Sequence, residues 1–293
     1  MKRPANLPLE RQLISILAAN REDSYATQRK RGYILGDAAR NLHERFGLQK
    51  WENLGQKHVG YVIDRWRAED TGRRSIEERL SHLRWLVRKI GKANLVPRTN
   101  AELGIAPGPR HTRAGKVVSE EVFARMLAAV PSERIKAMML LARHLGFRFK
   151  EAALFRPWRD WDGERVWVKR GTKGGRPRYL FLHNPRQAEV LAQARGLVRG
   201  EEGLIPSECP TFEVWRQEVY SALRAAGVGR ATDTTFHDLR RGYLVARMKY
   251  LMEAKGMDRD RAAAIVAREA GHHRLEILDW YLADAEEAPA EAA

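Results

Sequence analysis

The sequence predicts a mainly α-helical protein, with a helical amino-terminal domain and a mixed α/β carboxyl-terminal domain that contains a small β-hairpin sheet. Three observations lead to this fold class. Apolar residues recur at helical spacing along most of the chain, two short segments alternate as strands do, and a stretch rich in proline and glycine separates two regions.

The first 91 residues carry four helical stripes. The clearest covers residues 75–90, where Ser75 and Glu78 match a capping box and Gly91 is expected to end the helix. Basic side chains interrupt this last stripe without balancing acids, which favours phosphate contact over a merely solvated face. We therefore predict that this helix contributes DNA-binding residues, namely Arg79, Arg84, Arg88 and Lys89.

Residues 91–116 contain three prolines and almost no periodicity. We predict an extended, basic linker over residues 97–116, in which Arg113 and Lys116 are further candidates for DNA contact. The predicted domains on either side of this linker are residues 1–96 and 117–293.

The second domain is predicted to begin with helices at about 119–130, 133–145 and 149–155. Two β-like runs follow at 164–169 and 178–183, joined by a glycine-rich turn. The remaining chain has helical patterns at 186–197, 211–226, 235–255, 258–270 and 274–284. A charged insert at 253–261 lengthens the stretch between Arg240 and His272.

The charge of the chain indicates a polyanionic partner. Lysine and arginine number 53 against 37 acidic residues, for a net charge of +16. DNA or RNA is the first expectation, with a ribosome-associated or merely basic protein as the alternative. The first 116 residues hold 24 basic and 12 acidic side chains, whereas residues 282–293 hold only acids.

The composition also limits the class of protein. A single cysteine excludes a disulfide framework and a cysteine-based zinc site. There is no apolar run near the roughly 18 residues of a membrane span, and the amino terminus lacks a signal-peptide pattern. We therefore expect a cytoplasmic protein without membrane contact.

Four short segments contain residues suited to phosphate chemistry. They are Leu145–Glu151 with an arginine and a glutamate, Gly171–Gly175 with a lysine at a flexible turn, Phe236–Arg241 with the pattern His-x-x-Arg, and Gly271–Tyr281 with a Gly-His-His step and a tyrosine. Each alone is weak, because an arginine after a helix or a tyrosine beside a tryptophan is usually structural. The ordered set is informative because the charge already points to DNA.

This order of residues resembles the signature of tyrosine recombinases, the family of phage lambda integrase, Cre and the Xer recombinases. The resemblance covers about residues 117–283, and the helical first half is similar to the SAM-like core-binding domain of that family. It implies a catalytic set consisting of Arg148, Lys173, His237, Arg240, His272 and Tyr281. Glu151 would support this set by orienting a catalytic side chain.

The resemblance implies a site-specific DNA recombinase, or integrase, that cleaves and rejoins strands through a 3′-phosphotyrosyl bond and a Holliday junction. No metal, ATP or other cofactor is expected. The implied partners are double-stranded DNA, a homo-tetramer on two DNA sites, and accessory directionality or host DNA-bending proteins. A place at the nucleoid and in a mobile genetic element would follow.

Several alternatives stay open. Lys169 competes with Lys173 as the hairpin lysine, and His273 competes with His272. A type IB topoisomerase or a telomere resolvase would share the chemistry. A non-catalytic DNA-binding regulator could use the same scaffold, and a metal nuclease could use the histidine pair. The acidic tail 284–293 would either dock on a neighbouring subunit or remain disordered.

Overall fold

The computed structural model describes residues 7–69, 72–105, 117–228 and 234–271. The chain divides into two compact units, Met1–Arg110 and His111–Ala293. The predicted fold class is confirmed, because helices dominate and the sheet is a single two-stranded hairpin in the described ranges. None of the helices in these ranges is long and apolar enough to cross a bilayer.

Four α-helices form the described part of the first unit: α1 (Pro8–Ala19), α2 (Tyr25–Phe46), α3 (Gln56–Ala68) and α4 (Arg73–Lys89). Helix α2 begins earlier than its apolar stripe, because the Ser24 side chain accepts a hydrogen bond from the Thr27 backbone and caps the helix. It ends at Gly47, as predicted, in a left-handed conformation with φ 62°. The helices enclose one apolar core that includes Trp51 and Trp66.

The predicted capping box at Ser75 is wrong. Helix α4 already begins at Arg73 after Gly72, so Ser75 lies inside the first turn and does not cap the helix. Glu78 instead forms an ion pair with Lys30 of α2 at 2.5 Å. The motif does not cap the helix because the helix begins two residues before Ser75.

Residues 93–105, which follow α4, fold onto the first unit. Two 3₁₀ turns, Ala93–Leu95 and Ala101–Leu103, follow α4. Val96 and Ile105 are buried in the same apolar core as α4. Residues 106–116, which include the candidates Arg113 and Lys116, lie outside the described part of the chain.

The second unit has eight helices in its described ranges: α5 (Glu120–Ala129), α6 (Glu133–Leu145), α7 (Phe149–Leu154), α8 (Pro157–Asp160), α9 (Pro185–Gly196), α10 (Phe212–Ala225), α11 (Phe236–Lys249) and α12 (Arg259–Ala270). Helix α6 is central, because it packs against α7, α9 and α11 and most of its residues are buried. Except for the short α8, each of these helices was predicted from periodicity.

Strands β1 (Arg165–Val168) and β2 (Arg178–Phe181) form the predicted antiparallel hairpin. Val166, Val168 and Leu180 face the core, and alternation places Arg178 on the same inner face. The connection between the strands contains a tight turn at Lys173–Gly175.

Helix α11 continues into a π-helical turn, Tyr250–Ala254, before α12 begins. The charged interval 253–261 noted in the sequence therefore spans the end of this turn, a short connection and the start of α12. Helix α12 ends at Gly271, which has φ 64°. The predicted helix 274–284 lies outside the described residues.

Residues 197–211 connect α9 to α10, and Val198 and Leu204 of this connection are buried. The Thr211 side chain caps this helix by accepting a hydrogen bond from the Val214 backbone. Just before it, the half-buried thiol of Cys209 donates a hydrogen bond to the Thr211 carbonyl at 3.4 Å.

Candidate active site

Two of the predicted catalytic arginines are brought together by a sharp break between α6 and α7. Gly146 ends α6 with φ 66°, and a side chain there would lie only 2.4 Å from the ring of Tyr243. Glycine is therefore required both for the turn and for the close approach of α11. Arg148 follows at the start of α7, while Arg240 lies in α11 and donates to the Gly146 carbonyl at 2.5 Å.

Glu151 is the centre of the arginine cluster. Its buried carboxylate accepts two hydrogen bonds from Arg178, each of 2.7 Å, and one from the Arg148 guanidinium at 2.8 Å. Nη1 of Arg240 lies 3.7 Å from the same carboxylate. Burial alone would raise the pKa of Glu151, but Arg178, Arg240 and Arg148 lower it to about 2. Glu151 is therefore ionised near neutral pH and binds the arginines around it. Its role as a supporting residue for catalysis stays a prediction.

The carboxyl-terminal end of α12 also binds these arginines. Three successive backbone carbonyls each accept a hydrogen bond from a different guanidinium: Glu269 from Arg178 at 2.6 Å, Ala270 from Arg240 at 2.6 Å, and Gly271 from Arg148 at 3.1 Å. The last carbonyls of a helix lack intrahelical partners and carry partial negative charge. Arginine side chains thus satisfy this helix end and are held in fixed orientations by it.

His237 lies one turn before Arg240 on α11. The side chains of Thr235 and Asp238 form the capping box that starts this helix, and the two residues are joined by hydrogen bonds of 2.6 and 2.7 Å. His237 keeps an exposed surface. Desolvation, followed by the charges of Arg240 and Arg148, lowers its pKa to about 4, so the imidazole is neutral near pH 7.

The hairpin turn is anchored against the start of α7. Gly171 has φ 72°, and a side chain there would lie 2.6 Å from the carbonyl oxygen of Lys150. This contact brings the connection between the strands next to Arg148 and Glu151, and Lys173 is exposed in the turn that follows.

The competing lysine has a different environment. The Lys169 ammonium lies 3.1 Å from the buried carboxylate of Asp160 and 4.0 Å from the ring centre of Trp167. These contacts hold the Lys169 side chain against Asp160 and Trp167 near the end of β1. The geometry therefore favours Lys173 over Lys169 as the lysine that is available to a bound substrate.

A cavity of about 760 Å³ opens beside Arg148 and His237. Its other lining residues include four aromatic side chains and three cationic ones: Phe149, Phe212, Tyr220, Phe236, Lys150, Arg216 and Arg224. The rings of Phe149 and Tyr220 are stacked, with centroids 4.8 Å apart. The cavity thus combines apolar surface with positive charge, which suits a ligand that has flat rings and phosphate groups.

The predicted DNA-contact residues of α4 make mostly internal contacts. Arg79 pairs with Glu69 at 2.6 Å, Arg84 donates to the Pro97 carbonyl at 2.7 Å, and Lys89 pairs with Glu22. Arg88 is exposed. To bind a DNA phosphate, Arg79, Arg84 or Lys89 would have to give up its contact within the protein.

Arg178 and Glu269 are among the buried charged residues of this region that were not predicted. Arg178 could have been identified, because it precedes Leu180 by two positions in a strand and must face inwards with it. Glu269 binds Tyr243 and Arg247 of α11, partners that sequence spacing alone does not reveal. The aromatic side chains of the cavity were also missed, because their periodicity is that of ordinary core residues.

The remaining predicted site residues are His272 and Tyr281, together with the competing His273. All three lie outside the described part of the chain, which ends at Gly271. His272 follows directly after the carbonyl that binds Arg148.

Two family models match the sequence. One describes the amino-terminal domain of phage integrases and matches residues 8–96, and the other describes integrases and matches residues 110–245. The two matches fall in the two parts of the chain that differ in composition. Comparison with the curated proteins finds no relative that matches.

Solved structures share the fold. A lambda integrase dimer bound to a COC′ core site is 18% identical, with a TM-score of 0.66 over 97% of this chain and 98% of that chain. A lambda integrase tetramer bound to a Holliday junction is 16% identical, with a TM-score of 0.66 over 96% and 79% of the two chains. XerH recombinase bound to a palindromic difH substrate is 15% identical, with a TM-score of 0.58 over 98% and 95%.

Proposed function

The chain belongs to the phage integrase family of tyrosine recombinases, and from this premise we propose that it recombines DNA at specific sites with Tyr281 as the nucleophile. The observation that carries the proposal is the arginine cluster. Arg148 and Arg240 lie near His237 and are bound by Glu151 and by the end of α12. The end of α12 directly precedes His272 in the chain. Fixed guanidinium groups suit a phosphodiester because each can donate two parallel hydrogen bonds to its oxygens.

The proposed reaction is a transesterification. The Tyr281 oxygen attacks phosphorus, the bond from phosphorus to the 5′-oxygen breaks, and a 3′-phosphotyrosyl bond and a free 5′-hydroxyl result. Attack by the 5′-hydroxyl of another strand reverses these steps and releases the tyrosine. The number of ester bonds is conserved, so the proposal requires no ATP. Negative charge that develops on the non-bridging oxygens would be stabilised by the two arginines.

Proton transfer is assigned to the flanking groups. Lys173 would protonate the leaving 5′-oxygen, a role supported by its exposed position in a turn anchored beside Arg148. His237 is neutral in the free site, so it can accept a hydrogen bond or a proton when substrate arrives. His272 would complete the phosphate contacts and help to remove the tyrosine proton.

The assembly is proposed from the relatives. The lambda integrase tetramer bound to a Holliday junction supports four protomers acting on two DNA sites. Residues 1–96 would bind the DNA core, residues 97–116 would link the domains, and residues 117–293 would carry catalysis. In this arrangement Arg88, Arg113 and Lys116 are the proposed phosphate contacts outside the catalytic domain. Such an enzyme would act at the nucleoid as part of a mobile genetic element, with directionality or DNA-bending proteins as accessory partners.

The test is trapping of the covalent intermediate. Duplexes that bind the protein would be selected from a random pool, nicked at successive positions and incubated in EDTA with wild type or with Tyr281→Phe. We expect a denaturant-resistant protein–DNA adduct with wild type only, and equal DNA binding by both proteins. An adduct in Tyr281→Phe would refute the nucleophile. Cleavage that leaves no adduct and that occurs with Mg²⁺ but not in EDTA would favour the metal nuclease.

The outcome also separates the remaining alternatives. DNA binding without an adduct at any nick position would indicate a non-catalytic regulator. Where the adduct forms, exchange of strands between two sites identifies a recombinase. Relaxation of a single supercoiled circle without exchange would instead identify a topoisomerase.

A further inference from the structure

Glu269 is a buried carboxylate that joins α12 to α11. Only 9% of this residue is exposed. Its carboxylate accepts hydrogen bonds from the Tyr243 hydroxyl at 2.8 Å and from two Arg247 nitrogens at 3.0 and 2.8 Å. Both donors belong to α11, the helix that also carries His237 and Arg240.

The backbone of the same residue begins the series of carbonyls that bind the three arginines. These carbonyls belong to consecutive residues in one helical turn, so they cannot move independently. A displacement of this turn would shift the guanidinium groups of Arg178, Arg240 and Arg148 together. Long arginine side chains lose directionality when their anchoring contacts are loosened, because several rotatable bonds then become free.

We propose that Glu269 is a positioning residue for the active-site arginines, because its contacts with Tyr243 and Arg247 fix the helix end to which those arginines are bound. The inference rests on the proposed function, in which Arg148 and Arg240 bind the scissile phosphate. Glu269 itself touches neither phosphate nor nucleophile in this scheme. It acts through the last turn of α12.

The role can be distinguished from a contribution to folding alone. A residue that only stabilises the fold changes the fraction of folded protein and leaves the cleavage rate of each folded molecule unaltered. Replacing a positioning residue lowers the cleavage rate of folded protein at saturating DNA, while the protein's binding to DNA outside the scissile phosphate stays the same.

The experiment uses Glu269→Gln in the full-length protein, on a nicked duplex obtained by binding selection. The single-turnover rate of adduct formation is measured at saturating protein, at a temperature where circular dichroism shows complete folding. We expect the rate to fall roughly 10–100-fold, as for other groups that orient a ligand-binding side chain. The dissociation constant for DNA should change less than about twofold.

The matched control is Glu253→Gln, in the π-helical turn. Glu253 lies 4.0 Å from Lys249 in an ion pair whose side chains are 66% and 70% exposed. The same chemical change there should leave both the rate and the binding unchanged.

The outcomes separate the two proposals. No adduct with wild type refutes the proposed function, whatever the variants do. An adduct with wild type and an equal rate with folded Glu269→Gln overturns the positioning role alone. If Glu269→Gln does not fold, Tyr243→Phe decides, because it removes one hydrogen bond and no charge. We expect a smaller loss of rate with Tyr243→Phe, and a wild-type rate would overturn the proposal.

Discussion

At the scale of single residues, the active site depends on one carboxylate for the order of several cations. Arg178 and Arg148 donate directly to Glu151, and Arg240 lies close to it. Like charges packed this closely would repel one another without an anion between them. The acid that the sequence marks as an orienting group is thus also the counter-ion that allows the cluster to form.

Replacing Glu151 by glutamine tests this dual role. The change keeps the size of the side chain but leaves buried guanidinium groups without a compensating charge, which typically costs about 3–5 kcal/mol. We expect the free energy of unfolding to fall by about that amount, and adduct formation by folded protein to slow at least roughly tenfold. Urea denaturation and the nicked-duplex assay measure the two effects.

Glu189→Gln is the control for this prediction. Glu189 pairs with Arg186 on the surface of α9, with side chains 61% and 55% exposed. Its replacement should cost less than about 1 kcal/mol. Similar losses for the two variants would show that Glu151 has no special position.

At the scale of elements, the β-hairpin extends from the buried core to an exposed turn near the arginine cluster. Its inner face contributes Arg178 to the arginine cluster, and its turn carries Lys173. Gly171, in the connection between the strands, lies close against the backbone of Lys150 in α7. The hairpin thus carries two cations of different environment, Arg178 in the arginine cluster and Lys173 in the exposed turn.

Gly171→Ala is expected to displace this turn. The new methyl group would meet the Lys150 carbonyl at 2.6 Å in addition to the strain of φ 72°. We expect slower cleavage of ordinary DNA, because Lys173 would be moved away from the leaving oxygen. DNA with sulfur at the 5′ leaving position needs no proton from a lysine and should be cleaved at a rate closer to that of wild type.

Gly174→Ala provides the comparison within the same turn. Gly174 has φ 73°, but nothing lies within 4 Å of an added methyl group. Both variants share the backbone strain of about 1–3 kcal/mol, and only Gly171→Ala adds the collision. Equal cleavage rates in the two variants would contradict the anchoring role of Gly171.

Local patterns predicted the elements well and their partners poorly. The hairpin and the helices of the second unit follow from alternation and periodicity, because burial of one face imposes those patterns. The capping box predicted at Ser75 does not form because the helix begins at Arg73, and Glu78 contacts Lys30, which lies 48 residues away. The contact between Arg178 and the Glu269 carbonyl spans 91 residues, so no local pattern could reveal it.

At the scale of the whole molecule, burial keeps several histidines neutral. The pKa is lowered in five of them, with desolvation as the largest cause in each: His58, His82, His144, His183 and His237. For His144 and His237 it falls to about 4. These histidines occur in both compact units, so we expect acid to lower the free energy of unfolding of both units.

The free energy of unfolding should therefore fall as the pH drops from about 6.5 towards 4. The unfolded chain takes up protons near the ordinary histidine pKa of about 6.5, whereas the folded chain resists until lower pH. Carboxyl groups with a lowered pKa, such as Glu151, add a loss only below about 4.5. Urea denaturation at about pH 7, 6 and 5 measures the effect.

The variant His144→Gln separates this cause from the general repulsion of a basic protein at low pH. It removes one histidine with a strongly lowered pKa, so its stability should depend less on pH than that of wild type. A wild-type stability that stays constant or rises between pH 7 and 5 would contradict the prediction.

Part of the candidate site could be predicted because the motif residues are few and ordered along the chain. The sequence predicts Arg148, Glu151 and Arg240, and the structure brings these three residues into one cluster. Arg178 and Glu269 help to hold the cluster together, and their contacts become evident only in the folded structure, because they join residues that are distant in the sequence. Sequence patterns thus identified three members of the cluster, Arg148, Glu151 and Arg240, but not Arg178 or Glu269.

Cys209 has a practical consequence for spectroscopy. It is the only cysteine in the sequence, and it precedes α10, the helix that contributes Phe212, Arg216 and Tyr220 to the cavity. A maleimide dye would attach at one position without any mutation, slowly because the thiol is half-buried. Fluorescence from that dye could then report the arrival of DNA at the cavity in real time, in otherwise unmodified protein.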